Sequence, residues 1–462
     1  MELNGKRVLV VGLGRSGVAS AIFLQSRGAK VTVSDAKSED QLREQIPTLL
    51  DAGIAVETGA HGERTFRNQD LIVVSPGVPV DAEPLEQART FGQPVIGEIE
   101  LASQFLPGPI VAITGSNGKT TTTTLVGEII AASGFKTLVG GNIGTAAISL
   151  ADEATPETVI VLEVSSFQLE TIASFRPRVA VVLNVTPDHL DRHRTFAAYV
   201  NAKARIFENQ HSDDFAVLNA DDPTCVELAG RTRAQVFWFS RQREMESGAF
   251  VRDGYVVFRG NGQEQAVLAV AEIPLKGSHN LENVLAAVCA AALMGCAPEK
   301  IRMAIMQFKA VEHRLEYVAT IGGVEYYNDS KATNVDATMK ALQSFPANIH
   351  LILGGKDKGS DYTLLNNSLR ERVKSVYTIG AAAETIQSQI QGTTQIVSSG
   401  TLDAAVRQAS AAASSGEVVL LAPACASFDQ FQNYEQRGRV FKELVRQLQS
   451  RKSPGQASEP QK

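Results

Sequence analysis

The sequence has few cysteines, and their spacing is irregular. Of the 462 residues only Cys225, Cys289, Cys296 and Cys425 are cysteine, and no two of them form a CxxC pair. A chain of this length with so few unpatterned thiols does not favour a disulfide framework. We expect small buried thiols in a reducing compartment, and therefore a cytoplasmic protein.

Long hydrophobic runs and an excess of one charge are also missing. The apolar segments 159–164 and 179–185 are β-branched and well below the ~20 residues that a membrane helix needs. The 44 basic residues nearly balance the 50 acidic ones, which gives a formal net charge of -6. Neither nucleic acid nor an anionic membrane is therefore an expected partner. The chain enters an apolar strand directly after residue 6, which is typical of a folded domain and not of a secretion signal. We expect a monomer without membrane insertion.

Short apolar runs alternate with alanine-rich segments of helical period along most of the chain. Parallel sheets with crossover helices produce this alternation, so we predict an α/β protein. The predicted strands are 7–11, 30–34, 71–74, 110–114, 159–164, 179–185, 215–219, 349–354 and 418–422. The predicted helices are 16–27, 120–132, 197–208, 280–295 and 404–414. The turn-rich segment 249–270 predicts antiparallel hairpins in the middle of the chain.

The length of the chain predicts about three domains. A Pro-Gly-Pro run at 107–109 suits a linker, because proline disfavours a continuing helix. A second boundary is expected near Val311, after a helix at 301–308. We therefore predict domains at 1–107, 108–310 and 311–450. The segment 451–462 cannot bury anything, and we expect a disordered tail.

A Gly-Leu-Gly-Arg-Ser-Gly run at 12–17 follows the first strand and opens a helix. Asp35 ends the next strand, at the distance typical of the dinucleotide-binding fingerprint. The glycines allow close approach of a pyrophosphate, and the helix N-terminus stabilises its charge. Any diphosphate-linked nucleotide would fit. The motif therefore leaves NAD and a UDP-sugar open, beside a purely structural turn.

A second glycine-rich turn follows the strand at 110–114 and is more informative about chemistry. It consists of Gly115, Ser116, Asn117, Gly118, Lys119, Thr120 and Thr121. Backbone N–H groups can cradle a triphosphate there, Lys119 can reach the terminal phosphates, and a threonine hydroxyl can reach Mg²⁺. Ile113 stands where the P-loop motif has its first glycine, so the match is partial. The strand before the loop and the helix after it nevertheless favour an ATP site over a structural loop.

Polar residues follow two further apolar runs. Glu163 ends one of them, and a buried carboxylate there is costly unless it is paired or binds a cation. His189 lies in the polar segment 184–191 at the end of the next, on the side where α/β sheets bind ligands. A lone glutamate at a strand end is more often solvated, and a lone histidine is more often satisfied locally. Two such ends beside a P-loop favour a metal site.

Several separated motifs, in this order, resemble those of the Mur ligases. The matching segments are 114–121, 140–142, 163–168, 184–191, the region of Lys203, 279–280, 313–314, 328–334 and 422–438. The resemblance covers nearly the whole chain. It implies an N-terminal Rossmann-like domain for a UDP moiety, a central P-loop ATPase with a mostly parallel sheet, and a C-terminal Rossmann-like domain that brings an amino acid. It also favours UDP over NAD at the first glycine motif.

Within the family, the resemblance is to the members that add D-glutamate to UDP-N-acetylmuramoyl-L-alanine during peptidoglycan synthesis. It implies an ATP-dependent ligase that forms an acyl phosphate, releases ADP and phosphate, and uses two Mg²⁺ ions. Ligases for L-alanine, a diamino acid or folate glutamate stay open as alternatives. Two functions from other classes also stay open: an NAD-dependent oxidoreductase and a non-enzymatic ATP switch.

The resemblance also implies roles for individual residues. Lys119 would contact the ATP phosphates together with Arg314, and the adenosine would lie against Asn280 and Asp329. The residues implied for the UDP substrate are Gly14, Arg15, Ser16, Asp35, Ala36, Lys37, Ser75, Gly77 and Asn142. Those implied for the amino acid are Lys331, Thr333, Lys358, Ser427 and Tyr434. Catalysis would involve Lys119, Glu163, His189 and Lys203.

Lys203 by itself is an ordinary lysine in a predicted helix. The resemblance implies that it is carried as a carbamate, which would replace a cation with an anion and offer oxygen ligands to a second Mg²⁺. The implied metal ligands are Thr120, Thr121, Glu163, His189 and carbamylated Lys203. One departure from the family pattern is the pair Lys356 and Lys358, where one amino-acid-binding lysine is expected. We choose Lys358.

Overall fold

The computed structural model describes residues 1–260, 262–275, 277–309 and 312–452. The chain divides into two compact units. The first comprises Met1–Pro187, Arg192–Pro274 and Glu282–Phe308, and the second comprises Asp188–Asp191, Leu275–Leu281 and the chain from Lys309. Within the described ranges, no helix is both long enough and apolar enough to cross a membrane.

The N-terminal sheet, in the first unit, is entirely parallel. Its strands are β1 (Arg7–Val11), β2 (Lys30–Asp35), β3 (Ala55–Thr58), β4 (Leu71–Val74) and β5 (Val95–Gly97), in the order β3-β2-β1-β4-β5. The helices among them are α1 (Arg15–Ser26), α2 (Ile46–Asp51), α3 (Glu63–Phe66), α4 (Glu83–Thr90) and α5 (Glu98–Ser103). Val8 and Val10 pack into one core cluster and Leu9 and Val11 into another, so β1 is covered on both faces.

The central sheet also belongs to the first unit. Its strands are β6 (Ile110–Thr114), β7 (Thr137–Gly141), β8 (Val159–Glu163), β9 (Val179–Val182), β10 (Phe215–Asn219), β11 (Gln235–Ser240), β12 (Gly248–Arg252), β13 (Tyr255–Gly260) and β14 (Gln263–Ala269). They lie in the order β14-β13-β12-β11-β10-β9-β6-β8-β7. The helices from this part of the chain are α6 (Lys119–Ala132), α7 (Ser166–Leu169), α8 (Leu190–His193), α9 (Phe196–Ala204), α10 (Pro223–Leu228), α11 (Ser278–Leu293) and α12 (Pro298–Gln307).

The predicted hairpins of the segment 249–270 are confirmed. β12 pairs antiparallel with β13, and β13 with β14, whereas β12 continues the parallel part of the sheet through β11. The hairpins therefore extend one edge of the central sheet. The ATP-binding loop predicted at 115–121 follows β6, which lies among parallel strands at the other end of the sheet.

Two buried glutamates at the start of α5 join the N-terminal sheet to the central part of the first unit. Glu98 accepts a 2.8 Å hydrogen bond from the amide of Ile148, and burial raises its pKa to about 7. The carboxylate of Glu100 accepts hydrogen bonds of 2.9–3.0 Å from the backbone amides of Ala173, Ser174 and Phe175, which lie in the loop after α7. These contacts fasten the end of the first sheet to two loops of the central domain.

The sheet of the second unit has strands β15 (Glu316–Ile321), β16 (Val324–Asn328), β17 (Ile349–Gly354), β18 (Val373–Ile379), β19 (Gln395–Gly400) and β20 (Val418–Leu421). They lie in the order β15-β16-β20-β17-β18-β19, and all but β15 run parallel. Its helices are α13 (Val335–Gln343), α14 (Asn366–Arg372), α15 (Ala383–Ile390), α16 (Leu402–Ala412) and α17 (Tyr434–Lys452). Short 3₁₀ turns in the chain are Glu39–Leu42, Ala147–Leu150, Arg205–Phe207, Ala229–Arg231, Val270–Glu272 and Tyr362–Leu365.

The α/β class and the predicted strands are confirmed, with differences at their ends. The strand predicted at 179–185 stops at Val182, because the chain turns there and Asn184 binds the loop after β6. The helix predicted at 197–208 ends at Ala204 and continues as a 3₁₀ turn. The predicted tail begins inside α17, and 453–462 lie outside the described residues. The boundary near Val311 also lies outside them, so the domain limits stay a prediction.

Candidate active site

The loop at 115–121 joins the end of β6 to the N-terminus of α6. Gly118 caps the helix with a φ of 87°, and a Cβ added there would lie 2.2 Å from Oδ1 of Asn283. A side chain is therefore excluded on two grounds, backbone conformation and space. The loop ends on the first turn of a helix, where exposed N–H groups and the helix dipole favour a phosphate.

The chain after β9 braces this loop from the neighbouring strand. Oδ1 of Asn184 accepts the amide of Asn117 at 2.8 Å, and Nδ2 donates to the carbonyl of the same residue at 3.1 Å. The hydroxyl of Ser116 donates to the carbonyl of Thr186 and lies 3.1 Å from the hydroxyl of Tyr199. The loop is thus held in one shape by groups that lie more than 65 residues away in sequence.

Glu163 is brought together with two other predicted site residues. Its carboxylate is 1% exposed, accepts the Thr120 hydroxyl at 2.7 Å and accepts Nδ2 of Asn142 at 2.8 Å. The strand register explains the position, because Glu163 pairs with Ile113 on β6, two residues before the loop. Thr121 is also buried on the first turn of α6. A carboxylate and a hydroxyl side by side at the phosphate loop offer the oxygen ligands that Mg²⁺ prefers.

Two lysines meet at one carbonyl of the loop. Nζ of Lys119 donates to the carbonyls of Gly115 and Ser116 at 2.8 Å each. Nζ of Lys203 donates to the same Gly115 carbonyl at 2.9 Å and lies 4.6 Å from the ring centroid of Tyr199. Lys203 is 1% exposed, so its side chain is part of the loop's support. The structure therefore places Lys203 beside the glycine-rich loop, and the role that the resemblance implies for it stays a prediction.

The first glycine loop is closed by Asp35. One carboxylate oxygen accepts the amide of Leu13 at 2.6 Å, and the other accepts the amide of Lys37 at 2.9 Å. Both oxygens thus accept hydrogen bonds from backbone amides, whereas in the dinucleotide fingerprint this carboxylate accepts a hydrogen bond from a ribose hydroxyl. The turn itself is tight, because a Cβ at Gly17 would lie 1.9 Å from the carbonyl oxygen of Gly12.

The other residues predicted for the UDP substrate surround this loop or the next strand end. Gly14 caps α1, and Arg15 donates to the carbonyl of Gly144, after β7, at 3.0 Å. The Ser75 hydroxyl donates to the carbonyl of Gly12 at 2.8 Å. Three further predicted residues, Ala36, Lys37 and Gly77, are exposed, and Ser16 is half-buried on α1. Asn142, by contrast, lies with Glu163 at the phosphate loop.

In the second unit, three adjacent parallel strands carry the residues predicted for the amino acid. Lys331 and Thr333 follow β16, Lys358 follows β17, and Ser427 follows β20. Nζ of Lys331 donates to the Tyr434 hydroxyl at 2.7 Å. Because β16, β20 and β17 are neighbours and parallel, these loops lie at one edge of the sheet.

A buried arginine joins two of these loops. Arg437 is 1% exposed and donates to the carbonyl and hydroxyl of Ser330 and to the carbonyls of Cys425 and Ala426. Burial lowers its pKa to about 10. The guanidinium therefore remains charged at neutral pH and holds the loops after β16 and β20 together.

Asp188 pairs with one of the two lysines after β17. Its carboxylate lies 3.7 Å from Nζ of Lys358 and accepts Nδ2 of Asn334 at 2.9 Å. Lys356 is exposed, and its backbone forms a bridge with Ala426. The contact supports the choice of Lys358, whose role stays a prediction. His189 follows Asp188 with a φ of 53°.

The residues predicted for adenosine and its phosphates also lie in the second unit. Burial raises the pKa of Asp329 to about 7, although the positive charge of Arg314 and a hydrogen bond from the amide of Leu315 both lower it. Arg314 is flanked by His313 and Leu315, which have φ values of 66° and 39°. Asn280 is buried on the first turn of α11.

The carboxylate of Glu316 supports this turn. It accepts the amide of His313 at 2.9 Å and Nδ2 of Asn328 at 3.0 Å. Left-handed backbone is strained for residues other than glycine and persists only where neighbours hold it. The turn therefore presents Arg314 in a conformation maintained by side chains around it.

Comparison with known proteins shows the family to which the chain belongs. Three family models match the chain: "Mur ligase MurD-like, N-terminal domain" at 6–97, "Mur ligase middle domain" at 113–291 and "Mur ligase, glutamate ligase domain" at 313–425. The UDP-N-acetylmuramoylalanine--D-glutamate ligase of Koribacter versatilis is 66% identical over 97% of this chain and 99% of its own. The chain belongs to the Mur ligase family.

A second relative of high identity supports this placement, and a solved structure shares the fold. The UDP-N-acetylmuramoylalanine--D-glutamate ligase of Acidobacterium capsulatum is 59% identical over 96% of this chain and 97% of its own. The solved MurF ligase of Thermotoga maritima shares the fold, with a TM-score of 0.60 at 16% identity over 96% of each chain. The protein is thus a Mur ligase of the MurD type, with the three α/β domains that the sequence predicts.

Several residues that shape this Mur ligase site have no individual role in the sequence-based predictions, although all of them except Tyr199 lie in segments that match the family. Asn184, Tyr199, Asp188, Asn334 and Arg437 all contact predicted site residues or their loops. Asn184 had a usable signal, since it is a polar residue directly after an apolar strand beside a P-loop. Tyr199 also had one, because it lies one helical turn before Lys203. The contacts of the other three depend on how distant loops meet, which local patterns do not reveal.

Proposed function

We propose that this protein joins D-glutamate to UDP-N-acetylmuramoyl-L-alanine, with ATP converted to ADP and phosphate through an acyl phosphate. The observation that carries the proposal is the similarity over nearly the full chain, at 66% identity, to a ligase named for this reaction. The reaction supplies a peptidoglycan precursor, and so serves cell wall biogenesis, cell shape and cell division. We place it in the cytoplasm and expect a monomeric enzyme.

The chemistry explains why ATP is needed. A carboxylate is a poor electrophile, because its charge is delocalised and its leaving group would be oxide. Attack of the substrate carboxylate on the γ-phosphate gives an acyl phosphate, and the amine of D-glutamate then displaces phosphate through a tetrahedral intermediate. The two anions repel each other by ~1 kcal/mol at 4 Å in water and ~4 kcal/mol at an effective dielectric of 20. The site must therefore supply positive charge where they meet.

The loop after β6 fits the ATP phosphates. Gly118 leaves room at the helix N-terminus, and the ammonium of Lys119 lies on the carbonyl side of the loop, from which it can turn toward a terminal phosphate. Solved MurF, which has the same fold, was obtained in complex with ADP. We assign Arg314, Asp329 and Asn280 to the nucleotide as well, since an arginine and a buried carboxylate suit phosphate and ribose respectively.

The donors at the end of β8 fit a divalent cation. Glu163 is a buried carboxylate with a threonine hydroxyl next to it, which is the hard-oxygen set that Mg²⁺ takes. Mg²⁺ bound there would neutralise phosphoryl oxygens during transfer. Glu163 and Thr120 would hold it, with Thr121 and His189 as further candidates. Asn142 keeps the Glu163 carboxylate in place through its 2.8 Å hydrogen bond.

We also propose that Lys203 carries a carbamate that serves a second Mg²⁺. The side chain is buried against Tyr199, with Nζ 2.9 Å from the Gly115 carbonyl. A carbamate keeps one N–H, so this hydrogen bond can persist while the new carboxylate adds two acceptor oxygens. Burial of an anion next to Mg²⁺ is favourable where burial of an ammonium next to it is not.

The UDP substrate is assigned to the first glycine loop. Its tight turn suits a pyrophosphate, and the match of this region to the MurD-like N-terminal domain favours a UDP-linked substrate over NAD. D-Glutamate is assigned to the loops of the second unit, where Lys331 and Lys358 provide cations for its two carboxylates.

The test is phosphate release with UDP-N-acetylmuramoyl-L-alanine, ATP and Mg²⁺ against a panel of D- and L-amino acids. We expect release that requires D-glutamate, with the dipeptide product seen by mass spectrometry. Release with L-alanine or a diamino acid instead would move the protein to another Mur ligase activity. Phosphate release that ignores the amino acid would indicate an ATP switch, and tight NADH binding without ATP would indicate the oxidoreductase.

A further inference from the structure

A buried tyrosine connects two of the loops assigned to the amino acid. Tyr362 is fully buried, and its hydroxyl lies 2.7 Å from Oδ1 of Asp357 and 3.0 Å from Sγ of Cys425. A phenol has one proton to donate, and the carboxylate can only accept it. The hydroxyl therefore donates to Asp357 and accepts from the thiol, which gives a relay from Cys425 through Tyr362 to Asp357.

At one end of the relay, Asp357 organises the loop that carries Lys358. The oxygen that accepts the tyrosine proton also accepts the amides of Lys358 at 2.8 Å and Ser360 at 3.3 Å. Burial alone would raise the pKa of this carboxyl, but these hydrogen bonds outweigh it and lower the pKa. An ionised Asp357 thus fixes the backbone from which the Lys358 side chain leaves.

At the other end, Cys425 lies two residues before Ser427. Burial raises the pKa of the thiol to about 12, so it keeps its proton and can donate to the phenol oxygen. The neighbouring Ala426 and Lys356 exchange two backbone hydrogen bonds of 2.8 and 3.1 Å. The segments after β17 and β20 therefore touch through backbone hydrogen bonds, including one from Gly354 to Pro423, and through the side chain of Tyr362, and these contacts together set their spacing.

We propose that Tyr362 is a positioning residue for the amino-acid substrate, because its hydroxyl sets the distance between Lys358 and Ser427. The inference rests on the proposed function, which assigns both residues to D-glutamate. A dicarboxylic amino acid needs two anchors at a fixed separation, and a small displacement of one weakens binding before it affects chemistry at the phosphate. Tyr362 acts through these loops and does not itself touch the substrate.

The decisive variant is Tyr362→Phe, which removes one oxygen and keeps the packing. We expect the KM for D-glutamate to rise about tenfold, as for the loss of one hydrogen bond to a charged group. kcat and the KM values for ATP and the UDP substrate should stay within about twofold, because the phosphate loop is untouched. Cys425→Ala should shift the KM for D-glutamate in the same direction, and Cys425→Ser, which keeps a donor, should restore it.

A matched control is Tyr326→Phe in the same unit. Tyr326 is also fully buried, and its variant loses the 2.9 Å donation to the Ser410 hydroxyl, whereas Tyr362→Phe loses the contacts with Asp357 and Cys425; Tyr326 does not join these loops. Its KM for D-glutamate should match that of the unmodified protein. An unchanged KM in Tyr362→Phe, or an equal rise in Tyr326→Phe, would overturn the proposal.

Amide hydrogen exchange separates this inference from the proposed function. In Tyr362→Phe the amides of Lys358 and Ser360 should exchange faster than in the unmodified protein, whatever amino acid the enzyme uses. Unchanged exchange at these amides would refute the positioning role even in an enzyme that ligates D-glutamate. An unmodified protein that ignores D-glutamate would refute the proposed function, and with it the role of Tyr362 for this substrate.

Discussion

The hydroxyl of Thr120 donates a 2.7 Å hydrogen bond to the buried carboxylate of Glu163. The two residues come from different crossover units, one on the first turn of α6 and the other at the last position of β8. They meet because β6 and β8 are parallel neighbours, in register at Ile113 and Glu163. The phosphate loop and its candidate metal ligand are therefore set by strand pairing.

Glu163→Gln tests whether the charge of this carboxylate is needed. Glutamine can still accept the Thr120 hydroxyl, but it cannot balance a divalent cation. We expect phosphate release to fall by about 10²–10³-fold, the range for removing one group that stabilises transition-state charge. The control is Glu128→Gln, since Glu128 is exposed on α6, the helix that carries Thr120, and should leave the rate unchanged. Equal rates in both variants would remove Glu163 from the mechanism.

Lys203→Ala tests the carbamate. Loss of the side chain removes the proposed anion beside Tyr199 and leaves space at the Gly115 carbonyl. We expect an inactive protein in which added acetate or formate partly restores phosphate release, because a small carboxylate can replace the missing one. The exposed Lys136 provides the control, since Lys136→Ala should be active without additives. Full activity of Lys203→Ala in the absence of any carboxylate would refute the carbamate.

Asp329→Asn tests the cost of a buried carboxylate. Burial raises the pKa of the Asp329 carboxyl to about 7 in the folded protein. Between its ordinary pKa and this raised one, the carboxyl keeps its proton in the folded protein but has lost it in the unfolded chain. The contribution of this group to stability is therefore full below the unfolded value of about 4 and falls as pH rises toward 7. Asparagine removes that penalty. We expect the variant to gain roughly 1–3 kcal/mol in the free energy of unfolding near pH 8, and clearly less near pH 5.

Urea unfolding at both pH values measures this difference, and enzyme kinetics give the second readout. If Asp329 holds the nucleotide as proposed, the same variant should show a higher KM for ATP. A variant without the gain near pH 8 would mean that the folded protein tolerates the charge. A gain in stability with an unchanged KM for ATP would remove Asp329 from the nucleotide site.

Glu100→Ala tests the joint between the first two sheets. The carboxylate is 3% exposed and accepts the amides of Ala173, Ser174 and Phe175, all of which would lose their partner. We expect a loss of about 2–4 kcal/mol in the free energy of unfolding, as for a buried charge network that loses one side. Glu86→Ala, an exposed glutamate on α4, should change stability by less than about 0.5 kcal/mol. Similar unfolding midpoints for both variants would contradict the joint.

Local patterns were sufficient for the phosphate loop and for part of the strands, whereas β3, β5, β7, β11, β15, β16, β18 and β19 are not among the predicted ones. β1, β4, β6, β10 and β17 match their predicted limits, because each is an apolar run bounded by glycine, proline or polar residues. β9 was predicted three residues too long, since Leu183 and Val185 are apolar and the sequence alone does not show that Asn184 turns to bind Asn117. Tertiary contacts override a hydrophobic run there.

The site was predictable to the same extent. Lys119, Thr120 and Glu163 lie in local motifs or at strand ends, so their meeting follows from the α/β pattern. Other contacts join segments that only the folded topology brings together. Lys358 pairs with Asp188, and Arg437 donates hydrogen bonds to Ser330 and Cys425. Asp35 shows a second limit of the sequence. The motif that contains it is recognisable, but the sequence does not reveal that its carboxylate accepts two backbone amides.

Glu98 and Glu100 have a consequence for substrate choice. They fasten the end of the N-terminal sheet to loops of the central sheet, and the first glycine loop and the phosphate loop lie in the same compact unit. The distance between the two loops then limits the length of a substrate that can reach both. If the UDP substrate binds as proposed, with its diphosphate at the first loop, its carboxylate reaches the second loop only when the sugar and peptide between them have the right length. On the proposed function, Glu98 and Glu100 would contribute to selecting the substrate by length without contacting either loop.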